Sequence, residues 1–390
     1  MGFNMYVPTR IVFGAGTVKT LHARKLPGKK AVIIVSNGNS AKKYGYLPLV
    51  EEELRKAGVQ TTVFDKIQAN PLKATVEEGG RFTRDNGCDF IVALGGGSVL
   101  DAAKGVAVSA TNPGDLWDYA FGKTGKAKPI KNRPLPIVAI TTTAGTGSEV
   151  DQWGVITKPE TNEKIGFGGI DALFPELAVI DPELMKTVPP KYTAYQGFDA
   201  LFHSTECYIS TAANLMSDMY AISAIDNIGK YLCRAVKDGE DFEAREHLAF
   251  ANTLSGVVMT ISGCTSEHSL EHAMSAYHQD LPHGAGLIMI SKAYYRHFIR
   301  AHACDERFID MARALGVKDA RNPEEFITAL ERLQKECGVD NLSMSSFGIK
   351  REELEAIAFN ARETMGGLFE SDPCALSHAD CVEILEASYR

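Results

Sequence analysis

Carboxylate and imidazole side chains are concentrated in two stretches of the second half of the chain. Asp199 and His203 are four residues apart within a run of helical spacing, which places both on one face of a helix. Four of the ten histidines fall between residues 267 and 283, and they are His268, His272, His278 and His283. Carboxylates and imidazoles bind divalent cations. The pattern indicates a metal site, although the first pair alone would also suit an ordinary Asp–His hydrogen bond.

Four ligands can be drawn from these side chains. We take the metal ligands to be Asp199, His203, His272 and His283, with His268 and His278 as competitors. One carboxylate and three imidazoles leave positive charge on a divalent ion, so it can still polarise a substrate oxygen. Three or four protein ligands also leave room for a substrate.

Two loops rich in small polar residues indicate a second kind of site. Gly95–Ser98 follows an apolar run and opens a helical stretch, and a glycine-rich helix N-terminus suits a pyrophosphate. We predict that Ser98 caps this helix, and we see no structural need for Asp101 one turn further on. Thr141–Glu149 follows another predicted strand. Each loop alone would suit a structural turn, but together they favour a nucleotide, because such loops bind ligands at the carboxyl ends of parallel strands.

Strands and helices alternate up to about Asp181. The predicted strands are Ala31–Val35, Thr61–Phe64, Asp89–Leu94 and Pro136–Ile140, and the predicted helices among them are Leu47–Gly58, Lys73–Asn86 and Val99–Ala110. This alternation indicates βαβ units and a parallel sheet covered on both faces. After Pro182 only helices are predicted, at 190–210, 214–237, 242–262, 267–277, 287–303, 323–337, 351–365 and 378–389. The sequence therefore predicts an α/β dinucleotide-binding domain over residues 1–182 and an all-helical metal-binding domain over residues 183–390.

The composition excludes several classes of protein. A net charge of −8 without a basic cluster argues against a nucleic-acid partner. No apolar run reaches the roughly 18 residues of a membrane span, and the N-terminus lacks the pattern of a signal peptide. The eight cysteines are scattered, which is typical of reduced thiols in a cytoplasm. We expect a cytoplasmic protein without a nucleic-acid or membrane partner.

The motifs follow one another in an order that matches a known family. They are Pro8–Gly16, Gly95–Asp101, Thr141–Glu149, Val179–Leu184, Gly197–His203 and Pro282–Gly284. Through most of its length the chain resembles the iron-containing (group III) alcohol dehydrogenases. The resemblance implies the dehydroquinate synthase-like fold, with a metal between a dinucleotide domain and a helical domain, and a homodimer. It also implies that Asp199, His203, His272 and His283 hold Fe²⁺ or Zn²⁺. The implied reaction moves a hydride between NAD(P)(H) and a small primary alcohol or aldehyde.

The resemblance also gives the cofactor contacts. They are Asn37, Gly38, Ser40, Asn70, Gly95, Gly96, Gly97, Ser98, Asp101, Thr141, Thr142, Thr146, Ser148, Lys164 and Leu184. Members that select NAD tend to carry an aspartate where this chain has Asn37. Because Lys42 and Lys43 are also near, we expect the pocket to accept a 2′-phosphate and to favour NADP over NAD. The alternative is that both lysines belong to a solvated helix face.

The chain departs from the family pattern in two ways. Familiar members have more residues between their last two ligands than the ten between His272 and His283. Many also carry a histidine near the nicotinamide, four residues after the third ligand, where this chain has Ala276. His278 follows two residues later, and we take it as the candidate catalytic proton relay.

Other functions remain open at this point. A glycerol-type polyol dehydrogenase and a dehydroquinate synthase-like lyase share the superfamily, but the lyase needs basic residues that the helical half does not cluster. A metal-dependent hydrolase would use the histidines without needing the two loops. The residues that would line an apolar substrate pocket, or else belong to the core, are Trp153, Phe167, Phe198, Met274 and Tyr277.

Overall fold

Apolar β-branched runs form strands and amphipathic stretches form helices in this computed structural model, which describes residues 2–390. The strands are β1 (Arg10–Phe13), β2 (Lys30–Ser36), β3 (Gln60–Ile67), β4 (Phe90–Gly95), β5 (Ile137–Thr141), β6 (Trp153–Lys158), β7 (Glu163–Gly168) and β8 (Leu177–Ile180). The first helices are α1 (Ser40–Lys43), α2 (Tyr46–Lys56), α3 (Lys73–Asp85) and α4 (Gly97–Thr111). The later helices are α5 (Pro190–Ile209), α6 (Leu215–Lys237), α7 (Phe242–Ile261), α8 (Ser266–Tyr277), α9 (His283–Arg300), α10 (Asp305–Ala314), α11 (Glu324–Glu336), α12 (Leu354–Met365) and α13 (His378–Ser388).

The described chain divides into two units. The α/β unit consists of Val7–Thr143 and Gly147–Thr187 and holds all eight of these strands with α1–α4. The helical unit consists of Val188–Arg390, residues 2–6 and Ala144–Thr146, and holds α5–α13. The predicted fold class, an α/β N-terminal domain followed by an all-helical C-terminal domain, is confirmed.

A parallel sheet organises the α/β unit. Its strand order is β1-β8-β5-β4-β2-β3, and all of its neighbouring strands pair in parallel. Residues Ala31–Val35 of β2 are at most 1% exposed, as expected for a sheet that is covered on both faces. The carboxyl ends of β4 and β5 lie side by side, and Thr142 N donates to Gly95 O over 3.0 Å. The topology therefore brings the two predicted nucleotide loops to the same edge of the sheet.

Several elements escaped the sequence-based prediction, among them one hairpin and one helix. The strands β6 and β7 form an antiparallel hairpin, and its turn places Asn162 at a positive φ of 50°. The glycines and charged residues of this hairpin do not alternate with apolar residues, as the polar side chains of a half-buried strand would. Helix α10 is short and polar, and it buries only one face, which includes Phe308 and Met311.

Helix α5 is the central element of the helical unit. From Thr193 to Ile209 nearly every side chain is buried, and α6, α7 and α9 pack around it. Helix α6 approaches α5 closely at Gly197, where an added Cβ would lie 2.2 Å from Leu232 Cδ1. No single described helix is long and apolar enough to cross a membrane, whereas the bent pair of α7 and α8 meets the length and composition criteria together.

Candidate active site

Helix α5 brings Asp199 and His203 onto one buried face, as their spacing predicted. Asp199 is 4% exposed and His203 is 6% exposed. The distance from Asp199 Oδ1 to His203 Nδ1 is 3.6 Å, and His203 Nδ1 also lies 3.3 Å from the carbonyl oxygen of Gly145. A side chain at Gly145 would press on this helix, because an added Cβ would stand 3.2 Å from Asp199 Oδ2.

Two further imidazoles face the same carboxylate oxygen. Asp199 Oδ1 lies 3.5 Å from His268 Nε2 on α8 and 3.4 Å from His283 Nε2 at the start of α9. The rings of His203 and His268 stack with their centroids 4.3 Å apart. Both Asp199 Oδ1 and His268 Nε2 are buried without a hydrogen-bond partner among the described residues. Buried polar atoms rarely remain unsatisfied, so this donor set fits a divalent cation.

Each of these two imidazoles is held from behind by a buried carboxylate. Glu206 of α5 forms a short hydrogen bond with His268 Nδ1, and Glu271 of α8 forms one with His283 Nδ1. Glu206 is held in turn by Thr265, whose backbone N–H donates over 2.7 Å and whose hydroxyl donates over 3.1 Å. A carboxylate on one ring nitrogen orients the imidazole and its other ring nitrogen, an arrangement typical of metal-ligating histidines.

The sequence analysis overlooked both carboxylates. Glu206 lies three residues after His203 and seven after Asp199, so helical spacing alone places it on the same face. Glu271 adjoins His272 in the sequence, and nothing in that spacing separates its role from that of its neighbours. Cys264 was also missed, and its sulfur lies near the ring nitrogens of His203 and His268.

Burial and neighbouring charges set the ionisation of the cluster. Burial lowers the pKa of His203 to about 3, so this imidazole is neutral. Burial alone would raise the pKa of Asp199, but His203 and His283 hold it well below its usual range. Burial alone would lower the pKa of His268. The negative charges of Glu206 and Asp199 outweigh burial and raise this pKa well above its usual range. A negative carboxylate therefore stands at the centre of the imidazoles.

His272, the predicted third ligand, lies at the edge of this cluster. Its Nδ1 is 2.9 Å from the sulfur of Met365, and its ring centroid is 5.2 Å from that of His283. It joins His283 and Glu271 in a second group of close donor atoms that does not include Asp199. The geometry favours His268 over His272 as the third ligand, because His268 faces the central carboxylate.

The choice of His268 also removes both departures from the family pattern. Fourteen residues lie between His268 and His283, a longer interval than the ten that follow His272. The residue four positions after His268 is His272 itself. The predicted relay, His278, instead ends α8, and its Nε2 pairs with Glu353 over 3.0 Å. Among the described residues its ring contacts none of the clustered histidines.

The glycine loop of the α/β unit has the geometry of an anion site. Gly96 precedes α4, and no side chain caps this helix end, so the prediction that Ser98 is the cap was wrong. The first backbone N–H groups of a helix have no partner inside the helix. An added Cβ at Gly95 would lie 2.6 Å from Val99 Cγ2, and one at Gly96 would lie 2.9 Å from Thr143 Cγ2. The loop therefore offers unblocked donors and leaves no room for side chains.

Asp101 has the structural role that the sequence analysis did not find for it. Its carboxylate accepts hydrogen bonds from the Ser148 hydroxyl over 2.6 Å and from Val155 N in β6 over 3.0 Å. Lys104, which is fully buried, donates to Ser148 over 2.8 Å and to Asp151 over 2.6 Å. Burial raises the pKa of Asp101 to about 6. The expectation that Asp101 has no structural need was wrong, since Asp101 and Ser148 both belong to this buried network.

The other predicted cofactor contacts lie at several depths. Asn37, Gly38 and Ser40 are exposed after β2, and Asn70 has a positive φ of 51° after β3. Thr142 and Thr146 are half-buried, whereas Thr141 is 1%, Lys164 3% and Leu184 4% exposed. Beside the exposed group, Lys42 Nζ lies 2.5 Å from Asp65 Oδ2 of β3. Lys42 therefore has an acidic partner on the neighbouring strand.

The five residues predicted to line an apolar pocket also differ in their exposure. Phe167, Phe198 and Met274 are fully buried, and Phe198 packs against Phe202 inside the helical core. Trp153 is 40% exposed and lies against Gly169, where an added Cβ would touch its ring. Tyr277 is half-buried against the helical core. Three of the five candidates are therefore core residues.

The comparisons with known proteins agree with this fold. The family of iron-containing alcohol dehydrogenases matches residues 8–182, and the C-terminal part of the Fe-containing alcohol dehydrogenase family matches residues 193–389. An NAD-dependent methanol dehydrogenase of Bacillus methanolicus is 34% identical over 98% of this chain and 99% of its own. A 1,3-propanediol dehydrogenase of Klebsiella pneumoniae is 33% identical over 91% of each chain.

A solved structure is similar over the whole chain. It is an archaeal halo-thermophilic alcohol dehydrogenase from a Red Sea brine pool, with a TM-score of 0.94, 36% identity and coverage of 100% of this chain and 99% of that one. Both halves of the chain thus match one kind of protein, a metal-associated oxidoreductase with a dinucleotide-binding half. The chain belongs to the iron-containing alcohol dehydrogenase family.

Proposed function

We propose that this protein is a metal-dependent dehydrogenase that interconverts small primary alcohols and aldehydes with a nicotinamide dinucleotide. The observation that carries the proposal is the meeting of three imidazoles at Asp199 Oδ1, at distances of 3.4 to 3.6 Å. When bound, a divalent cation supplies Lewis-acid polarisation of an alcohol or carbonyl oxygen, and the nicotinamide supplies the hydride acceptor or donor.

The proposed metal ligands are Asp199, His203, His268 and His283, and the metal is Fe²⁺ or Zn²⁺. This set differs from the sequence-based one only at the third position. Asp199 supplies the negative charge, and the two buried glutamates orient His268 and His283 through their Nδ1 atoms. We propose His272 as the histidine that handles the proton in place of His278, because its ring adjoins the ligand cluster.

The proposed dinucleotide site is built on Gly95–Ser98 at the start of α4, together with the loop that follows β5. We propose NAD(H) as the cofactor, and not the NADP that the sequence around Asn37 predicts. Lys42 was expected to attract a 2′-phosphate, but Asp65 pairs with it and adds negative charge at the same place. The methanol dehydrogenase relative, whose name specifies NAD, supports this choice.

The substrate class proposed is that of short primary alcohols and their aldehydes. The names of the relatives, which act on methanol and 1,3-propanediol, support this choice over a larger substrate. The homodimer, the cytoplasmic location and the lack of nucleic-acid or membrane partners stay predictions from the sequence.

The test is aldehyde reduction by protein that has been stripped of metal and then reloaded with Fe²⁺ or Zn²⁺. Oxidation of NADH and of NADPH is followed separately, with butyraldehyde as the substrate and metal-free protein as the control. Turnover that requires the metal and is faster with NADH is the expected result. Turnover by the metal-free protein would contradict the role of the cluster, and a preference for NADPH would contradict the role given to Asp65.

A further inference from the structure

Two cysteines of the helical unit lie side by side although 104 residues separate them in the chain. Cys233 is in the last turns of α6, and Cys337 directly follows α11. Their sulfur atoms are 3.0 Å apart and share a thiol–thiol hydrogen bond. A disulfide bond is roughly 2 Å long, so a sulfur shift of about 1 Å would join them.

The two thiols differ in reactivity and access. The hydrogen bond between the two thiols lowers the pKa of Cys233 and raises the pKa of Cys337. Cys233 is half-buried, whereas Cys337 is only 6% exposed, in the wall of a surface cavity that Val236 also lines. Because the thiolate is the attacking species, Cys233 is suited to the first attack and Cys337 to the second.

We propose that Cys233 and Cys337 form a modification site, a dithiol that a small-molecule disulfide such as oxidised glutathione converts into an intramolecular disulfide. The Cys233 thiolate attacks one glutathione sulfur, the S–S bond of glutathione breaks, and one glutathione thiol leaves. The Cys337 sulfur then attacks Cys233 and displaces the second glutathione thiol. Two cysteine thiols are oxidised, one disulfide is reduced, and the two protons end on the glutathione thiols.

The surroundings of the cysteine pair include helix α5. Leu232, the neighbour of Cys233, packs on Gly197 of α5, two residues before Asp199. The cavity beside Cys337 is also lined by Pro190 and Tyr195 at the start of α5. A bond between α6 and the end of α11 would therefore adjoin the helix that carries two proposed metal ligands.

Another pair of cysteines provides the internal comparison. Cys264 interacts with Cys207, but Cys207 is fully buried and Cys264 stands beside His203 and His268. A small-molecule disulfide reaches a thiol only if the thiol is accessible. The proposal therefore predicts that oxidation joins Cys233 to Cys337 and leaves Cys207 and Cys264 as thiols.

The experiment treats the full-length, Zn²⁺-loaded protein with oxidised glutathione, alkylates the remaining thiols, and measures intact mass and a peptide map. The wild type is expected to lose two hydrogen atoms, to show a Cys233–Cys337 cross-linked peptide, and to recover all eight alkylated cysteines after reduction with dithiothreitol. Cys337→Ser should instead retain one glutathione on Cys233. Cys233→Ser should gain neither the cross-link nor the adduct. Cys88→Ser, which removes a buried thiol of the α/β unit, is the matched control and should behave like the wild type.

Each contrary outcome overturns the proposal. A glutathione adduct that persists in the wild type would mean that Cys337 does not resolve it. A cross-link between Cys207 and Cys264, or a wild type that keeps all its thiols under conditions that oxidise a model dithiol, would rule out a reactive pair at this place. The wild-type peptide map decides the question even if a serine variant folds poorly.

Discussion

Glu206→Gln tests the buried carboxylate behind the metal cluster. The Glu206 side chain is fully buried and accepts hydrogen bonds from His268 Nδ1 and from both the backbone and the hydroxyl of Thr265. A glutamine keeps the shape and can still accept from Thr265, but it then presents an N–H to His268 Nδ1. That contact favours the tautomer with a proton on Nε2, the atom that faces Asp199 and would bind the metal.

The expected size of the effect follows from that single contact. A hydrogen bond to a charged group contributes about 1.5–3 kcal/mol, and loss of such an outer carboxylate lowers metal affinity about 10- to 100-fold. We therefore expect Glu206→Gln to bind Zn²⁺ or Co²⁺ about 10- to 100-fold more weakly than the wild type, with the protein still folded. Competition against a chromophoric chelator measures the affinity, and circular dichroism checks the fold.

Glu267→Gln is the matched control, because Glu267 is also fully buried on the neighbouring helix. Burial and the charge of Glu206 raise its pKa well above the usual range, so its carboxyl is already neutral, and it accepts from the Tyr295 hydroxyl over 2.6 Å. A glutamine should replace it with little change in metal affinity. An unchanged affinity in Glu206→Gln, or an equal loss in Glu267→Gln, would refute the assignment of Glu206 to the metal cluster.

Three further tests use four other substitutions. His268→Ala should remove bound metal and turnover together, whereas His272→Ala should keep its metal, because only His268 faces Asp199. Elemental analysis of the two purified variants measures the bound metal. Metal loss in His272→Ala alone would restore the ligand set predicted from the sequence. Lys104→Met should lower the free energy of unfolding by about 3–5 kcal/mol, because it leaves Asp151 buried without its partner. Urea unfolding of the variant and the wild type measures this difference. A difference under about 1 kcal/mol would contradict the role given to Lys104. Burial raises the pKa of Asp372 from 3.8 to about 7, so the folded protein holds this proton more tightly than the unfolded chain. The protonated Asp372 therefore contributes up to roughly 4 kcal/mol to the free energy of unfolding. This contribution is fully present below the pKa of Asp372 in the unfolded chain and is lost as the pH rises to about 7. Asp372→Asn should lack that loss in melting scans across the same pH range, and an unchanged pH profile would show that Asp372 does not titrate there.

Local sequence patterns were sufficient for most of the secondary structure and for the first half of the metal site. The alternation of apolar runs with amphipathic stretches gave the parallel sheet and, α10 apart, the helices of the second half, because strand and helix periods are set by the backbone itself. Asp199 and His203 could be paired from their spacing for the same reason. The hairpin of β6 and β7 could not be predicted, because contacts with Asp101 and Pro71 hold it in place and not an alternating pattern of its own.

Only the tertiary structure decided between His268 and His272. The two histidines are four residues apart on α8, so the sequence places both on the same face of one helix and gives no reason to prefer either. The side-chain contacts between α8 and α5 decide the matter, since they set Glu206 behind His268 and Asp199 in front of it. A side chain becomes a ligand through the groups that meet it from other helices, and those contacts exist only after the helices have packed.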